Sequence, residues 1–110
     1  MHESMTAVIE RYATFETEFV TEPYEAAWAR EARWFFVPVD PEGGEHRLSI
    51  TTEVSPDGLT WCPLETGEVE IPTDRTSTWT SREFGGWLRL RATIDRPGPV
   101  RGSLYLALKA

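Results

Sequence analysis

The residues that most invite a chemical interpretation lie in SPDGLTW, residues 55–61, where a carboxylate stands close to a tryptophan. A calcium site would need several oxygen ligands spaced like the alternating acids of an EF-hand loop, and this stretch supplies only one carboxylate. Proline at the second position of a turn and glycine at the fourth are typical of a tight connection between strands. We therefore expect a hairpin turn formed by Ser55, Pro56, Asp57 and Gly58. In such a turn the Asp57 carboxylate bonds nearby backbone amides or faces water.

The other groups able to do chemistry are scattered along the chain. The segment DPEGGEH, residues 40–46, holds three carboxylates and His46, but its glycines and proline favour a flexible acidic turn. His2 and His46 are far apart in sequence and lack a second nitrogen or thiolate at ligand spacing, so both are expected to be solvated surface residues. The sequence contains no G-x-S-x-G elbow and no phosphate-cradling glycine loop. We expect no catalytic residue, no metal site and no cofactor, and therefore a protein that is not an enzyme.

The five tryptophans suggest a different chemistry, because rings displayed on an open sheet face can bind sugars. A domain of this size needs most of its large aromatic side chains inside. Trp28 and Trp79 are the pair expected to be exposed, and a carbohydrate-binding module is therefore the alternative function.

Composition limits the partners. The formal net charge of −7 argues against nucleic acid, since phosphate contacts require a basic face. The sequence has no apolar run long enough for membrane insertion, and its amino terminus lacks the apolar segment of a signal peptide. The single cysteine, Cys62, permits no disulfide within the chain and is expected to be a buried structural thiol. These features predict a protein of the cytoplasm, or one that leaves its cell by lysis, in a particle or by a route that the sequence does not encode.

A period of two in the hydrophobic pattern predicts strands with one buried face. It is clearest in LSITTEV and WLRLRATI, whose apolar residues alternate with polar ones, and SLYLALK follows with a leucine at every second position. Shorter candidates are ATFETEFV, LTWCPL beginning at Leu59, EVEIPT and STWTSREF, while WFFVPV has the unbroken apolar character of a strand near the centre of a sheet. About eight strands separated by turn residues predict an all-β fold, an antiparallel β-sandwich of jelly-roll or Ig-like type.

Two segments leave alternatives open. Residues 23–34, PYEAAWAREARW, have helical propensity but lie between two strand candidates, so either a helix or a strand, a turn and a strand is compatible with them. Residues 1–20 are expected to form an arm and a first strand, with a short helix as the alternative for the amino-terminal dozen. Residues 21–110 would then form the sandwich itself, within one domain overall.

The stretches EARWFFVPV, LSITTEVSPDGLTWCPL and FGGWLRLRATIDRPGPVRGSLYLALKA carry a resemblance to a known group. In this order they resemble small β-sandwich proteins with an S-P-D-G-x-x-W strand end, which occur among tailed-phage structural proteins and in bacterial domains of unassigned function. The resemblance covers roughly residues 32–108.

The resemblance implies a structural or assembly protein, such as a phage or virus-like decoration, fibre or neck component. Such a protein would act through contacts with itself, as a homo-oligomer, or with a capsid, tail or other scaffold protein. Exposed strand edges and an amino-terminal arm are the features expected to make these contacts. The expected anchors of the arm are five apolar side chains, Val8, Ile9, Tyr12, Phe15 and Phe19.

Overall fold

The computed structural model describes residues 4–39, 46–96 and 98–110, with the backbone alone for residues 4, 8–13, 15 and 67. These residues form strands and connections and contain no helix. The nine strands are β1 (Ser4–Phe15), β2 (Glu18–Val20), β3 (Tyr24–Glu25), β4 (Glu31–Pro38), β5 (Arg47–Ser55), β6 (Cys62–Pro72), β7 (Ser77–Arg82), β8 (Trp87–Ile94) and β9 (Val100–Lys109).

The strands form two antiparallel sheets. Sheet 1 has the order β1-β9-β4-β7, and sheet 2 has the order β2-β8-β5-β6, with β3 also paired to β8. One side of β8 pairs with β5 along the whole length of β8. Strands β2 and β3 share the other side of β8 and together act as one interrupted strand. Counted in this way, the described residues form eight strands with the sheet orders of a jelly roll, in which successive strands change sheet except at β5 and β6, which are neighbours in sheet 2. The predicted antiparallel sandwich is therefore confirmed.

The core lies between the sheets and is made of the alternating residues that the period of two predicts. Their side chains are at most 1% exposed in β5, β8 and β9, where they are Leu48, Ile50, Thr52, Leu88, Leu90, Ala92, Leu104, Leu106 and Leu108. Each fully buried leucine or isoleucine contributes about 1.5–3 kcal/mol relative to an exposed one. Sheet 1 adds Trp34 and Phe36 from β4, the central strand that the apolar run WFFVPV predicts.

A hydrogen-bonded chain crosses the core between the two sheets. The indole Nε1 of Trp34 donates to Ser81 Oγ at 3.0 Å. Ser81 Oγ lies 2.7 Å from Thr52 Oγ1, which belongs to the opposite sheet. These bonds explain how two hydroxyl groups are accommodated in an apolar interior, because a buried polar group is tolerated when it has a partner.

Both segments that the sequence leaves open form strands. Residues 23–34 contain β3, a turn and the start of β4. Tertiary packing overrides helical propensity here, because Ala26, Ala29 and Ala32 are buried in the core. The helix alternative for the amino terminus is wrong for the described residues, since Ser4–Phe15 form a strand paired with β9.

Three strand boundaries also differ from the expected ones. The segment ATFETEFV is divided at residues 16–17, where the chain passes from sheet 1 to sheet 2. LTWCPL and EVEIPT belong to one strand, β6, with an irregularity in its pairing to β5. Leu59 precedes that strand and lies in the turn.

Candidate interaction surfaces

The S-P-D-G turn is a compact hydrogen-bonded unit. Asp57 Oδ1 accepts hydrogen bonds from the amides of Leu59 and Thr60, both at 2.8 Å, and from Ser55 Oγ at 3.0 Å. Ser55 Oγ in turn accepts from the amides of Asp57 and Gly58. These bonds, with the Thr60 amide first and the Leu59 amide second, lower the pKa of Asp57 from 3.8 to about 2. The expected role of Asp57, bonding nearby backbone amides, is what the structure shows.

The turn folds back over the outer face of sheet 2. Gly58 adopts a positive φ of 79°, and a Cβ built there would lie 3.3 Å from the Trp87 indole. Trp87 faces outward because Leu88 and Leu90, its neighbours in alternation, are buried. The turn therefore presents Leu59 to solvent, with 85% of its surface exposed.

Charged side chains link the strands on the same outer face. The largely buried Glu53 carboxylate accepts from Arg89 Nε at 2.7 Å, and Arg91 Nε lies 3.4 Å from its other oxygen. Arg91 also pairs with Glu18 on β2 at 2.9 Å. The Arg89 guanidinium lies 4.2 Å from the centroid of the Trp61 ring, a cation–π distance. These groups mainly hold β2, β8 and β5 together.

The tryptophan pair expected to be exposed is not an open platform. Trp79 is 7% exposed and belongs to the core, opposite Trp34 in the pairing of β7 with β4. Trp28 is partly buried and packs against the same core. The expectation that Trp79 is exposed is therefore wrong. Alternate residues of β7 face inward, and Trp79 is one of them, so its ring fills space in the core.

The amino-terminal segment is part of the sandwich. Val8, Ile9, Tyr12 and Phe15 lie within β1, whose backbone pairs with β9 and has irregularities between Val8 and Glu10 and between Glu10 and Ala13. Phe19 lies in β2, is half-buried and packs against the core. The described residues 4–20 are therefore two paired strands rather than a free arm. That this segment contacts a partner remains a prediction.

Strand β1 is an edge strand of twelve residues, the longest of the described strands. Among the described strands it pairs only with β9. An edge strand presents a row of unpaired backbone donors and acceptors to any strand that approaches.

The outer face of sheet 1 contains a depression of about 300 Å³, which we call the cationic hollow. Arg33 on β4 lies opposite Ala107 on β9 and Thr80 on β7, and these small side chains leave space around it. The other lining residues include an apolar ring, two further cations and one carboxylate, namely Phe35, Arg82, Lys109 and Glu31. Within the part of the chain that the structure describes, none of the three cations has a carboxylate at ion-pair distance.

Two further expectations about reactive residues are corrected. Cys62 is exposed rather than buried, and His46, expected at the surface, is only 9% exposed. Among residues 4–39, 46–96 and 98–110, no group of three or more metal-ligating side chains lies together. The acidic residues Asp40, Glu42 and Glu45 and the histidine His2 lie outside the described residues.

No described helix is long and apolar enough to cross a membrane.

No family model matches the sequence, and no curated protein matches it. Several solved structures share its fold at low sequence identity. A chain from the disulfide-linked pili of Bacillus endospore appendages is 12% identical, with a TM-score of 0.54 and coverage of 99% of this chain and 85% of that one. A chain from the virus-like particle of Macrobrachium rosenbergii nodavirus is 13% identical, with a TM-score of 0.53 and coverage of 99% and 92%. A family 35 carbohydrate-binding module from Clostridium thermocellum is 12% identical, with a TM-score of 0.50 and coverage of 96% and 90%. At these identities the similarity shows the β-sandwich fold alone.

Proposed function

We propose that this chain is a non-enzymatic structural building block that associates with copies of itself, and that β1 makes one of the contacts by strand addition. The observation that carries the proposal is the position of β1: a twelve-residue strand whose outer side has no partner among the described strands. Backbone hydrogen bonds along such an edge give affinity without requiring a specific side-chain pocket.

The fold supports this proposal. Similar sandwiches occur in a chain from disulfide-linked pili and in a chain from a virus-like particle. The carbohydrate-binding module has the same fold, but the pair Trp28 and Trp79 is not available as an open aromatic platform in this chain. For that reason we favour assembly over carbohydrate binding.

Amide hydrogen exchange tests the proposal directly. In an antiparallel strand alternate amides point to opposite sides, so a partner strand would protect about six amides of β1 that are unprotected in a monomer. We expect peptides from β1 to exchange more slowly at high protein concentration than after dilution. Peptides covering residues 68–72 of β6, the edge strand of sheet 2, serve as the internal control and should not change. Equal exchange of β1 at both concentrations would contradict strand addition.

A matched pair of variants tests the same contact by mass. Thr14 is exposed on β1, and Thr76 is exposed in the connection before β7. A charge on an edge strand opposes edge-to-edge pairing, so Thr14→Glu should lower the oligomer mass measured by light scattering. Thr76→Glu makes the same change of net charge and should leave the mass unchanged.

A further inference from the structure

The turn at Leu59 and the cationic hollow have complementary surfaces on opposite sides of the sandwich. The turn presents an exposed leucine beside Asp57, whose low pKa keeps it ionised at all ordinary pH values. The hollow presents the apolar Phe35 and Ala107 with the cations Arg33, Arg82 and Lys109. We call Asp57, Gly58 and Leu59 the Leu59 knob.

We propose that the Leu59 knob of one copy of this chain inserts into the cationic hollow of the next copy. The proposal deepens the proposed function and rests on it, because it takes the chain to be a self-associating building block. The knob supplies an apolar side chain and a negative charge, and the hollow supplies an apolar floor and positive charges.

Size and charge both fit a second copy as the occupant. The hollow has about ten times the roughly 30 Å³ that one water molecule takes up in the liquid, so it can receive a leucine side chain. Its three cations and one carboxylate carry a net charge of +2, which leaves −9 for the rest of a chain whose total is −7. A cationic patch on an acidic chain is complementary to most of the surface of another copy.

The geometry makes the contact intermolecular. The knob folds over Trp87 on the outer face of sheet 2, whereas the hollow lies on the outer face of sheet 1, so the core separates them within one chain. Both lie at the same end of the sandwich, because β7 ends at Arg82 in the hollow and β8 begins at Trp87 under the knob, with only residues 83–86 between them. Stacking sheet 2 of one copy on sheet 1 of the next brings the two surfaces together. Such a contact uses different surfaces on the two partners and leaves one of each free, so it can be repeated.

The contact predicts a specific complementation between two variants. Leu59→Ser removes the apolar group of the knob and leaves the hollow intact. The double variant Arg33→Gln, Arg82→Gln neutralises two cations of the hollow and leaves the knob intact. All three side chains are exposed, so we expect folded proteins, checked by thermal unfolding. Losing the burial of one leucine should weaken the contact about 10- to 100-fold.

Binding is measured with one variant immobilised on a sensor surface and the other in solution. The Leu59→Ser chain should bind the Arg33→Gln, Arg82→Gln chain, since together they supply one intact knob and one intact hollow. The triple variant Leu59→Ser, Arg33→Gln, Arg82→Gln lacks both the knob and the hollow. It should bind itself only through any remaining β1 contact, and this level of binding is the baseline. Val39→Ser, an exposed apolar position near the opposite end of the sandwich, should bind itself like wild type.

The outcomes separate this inference from the proposed function. Binding of the complementary pair well above the triple-variant baseline supports the knob-and-hollow contact. If wild type binds itself but the complementary pair does not exceed the baseline, the contact is refuted while self-association stands. If wild type does not bind itself at all, both proposals are refuted.

Discussion

Replacing Gly86 tests the close approach between Gly86 and the S-P-D-G turn. Gly86 has a φ of +76°, and a Cβ built on it would lie 2.3 Å from the Ser55 carbonyl oxygen. Its own carbonyl accepts a hydrogen bond from the Ala26 amide at 2.8 Å, so the residue is held between the turn and the chain after β3. A side chain at this position has no flexible neighbour that could move away, because the atoms it meets are backbone.

The cost of Gly86→Ala has two parts. The left-handed conformation costs an L-residue about 1–2 kcal/mol, and forcing a methyl group into an occupied space costs about 1–3 kcal/mol. Together they predict a loss of about 2–5 kcal/mol in the free energy of unfolding, which lowers the melting temperature by roughly 10 °C or more in a domain of this size.

The neighbouring residue supplies the control. A Cβ built on Gly85 meets no atom within 4 Å, so Gly85→Ala should be neutral or slightly stabilising. Urea unfolding followed by tryptophan fluorescence measures both variants. If Gly86→Ala were as stable as Gly85→Ala, the close approach between Gly86 and the turn would be wrong.

Two further predictions concern the core and the turn. Trp34→Phe should destabilise the protein by about 0.5–1.5 kcal/mol more than Trp79→Phe, because Trp34 Nε1 donates to Ser81 whereas Trp79 Nε1 is buried with no hydrogen-bond partner among the described residues. Equal losses in urea unfolding would contradict this. The fold lowers the pKa of Asp57 from 3.8 to about 2, so the ionised carboxylate stabilises the folded state. This stability is fully present above pH 3.8 and is lost as the pH falls towards about 2. Asp57→Asn should therefore lose less stability than wild type between about pH 5 and pH 2, and parallel curves would show that the turn does not hold the carboxylate as described.

The sequence predicts the core strands well because their signal is local. In β5, β8 and β9 alternation decides which face is buried, and the leucines at positions 48, 88, 90, 104, 106 and 108 are all inside. Residues 23–34 are harder to predict, because the four alanines in this segment, three of them buried, suit a helix as well as they suit a crowded strand and turn. Only contacts with other parts of the chain decide between these structures.

The candidate surfaces could be predicted only in part. The turn at residues 55–58, and the bonding of Asp57 to nearby backbone amides, follow from residue types within a few positions. The structure shows both. The cationic hollow does not follow from the sequence, since its cations come from β4, β7 and β9 and meet only through strand register. The apolar character of Leu59 predicts a strand residue, although Leu59 lies in the turn and is mostly exposed.

The central claim, that this chain is a self-associating building block, is tested most directly by its mass in solution as a function of concentration. Light scattering behind a sizing column, on untagged protein at several concentrations, gives that mass without assuming a contact. We expect species at multiples of 12.5 kDa whose proportion rises with concentration. A single species of 12.5 kDa at every concentration would contradict the claim.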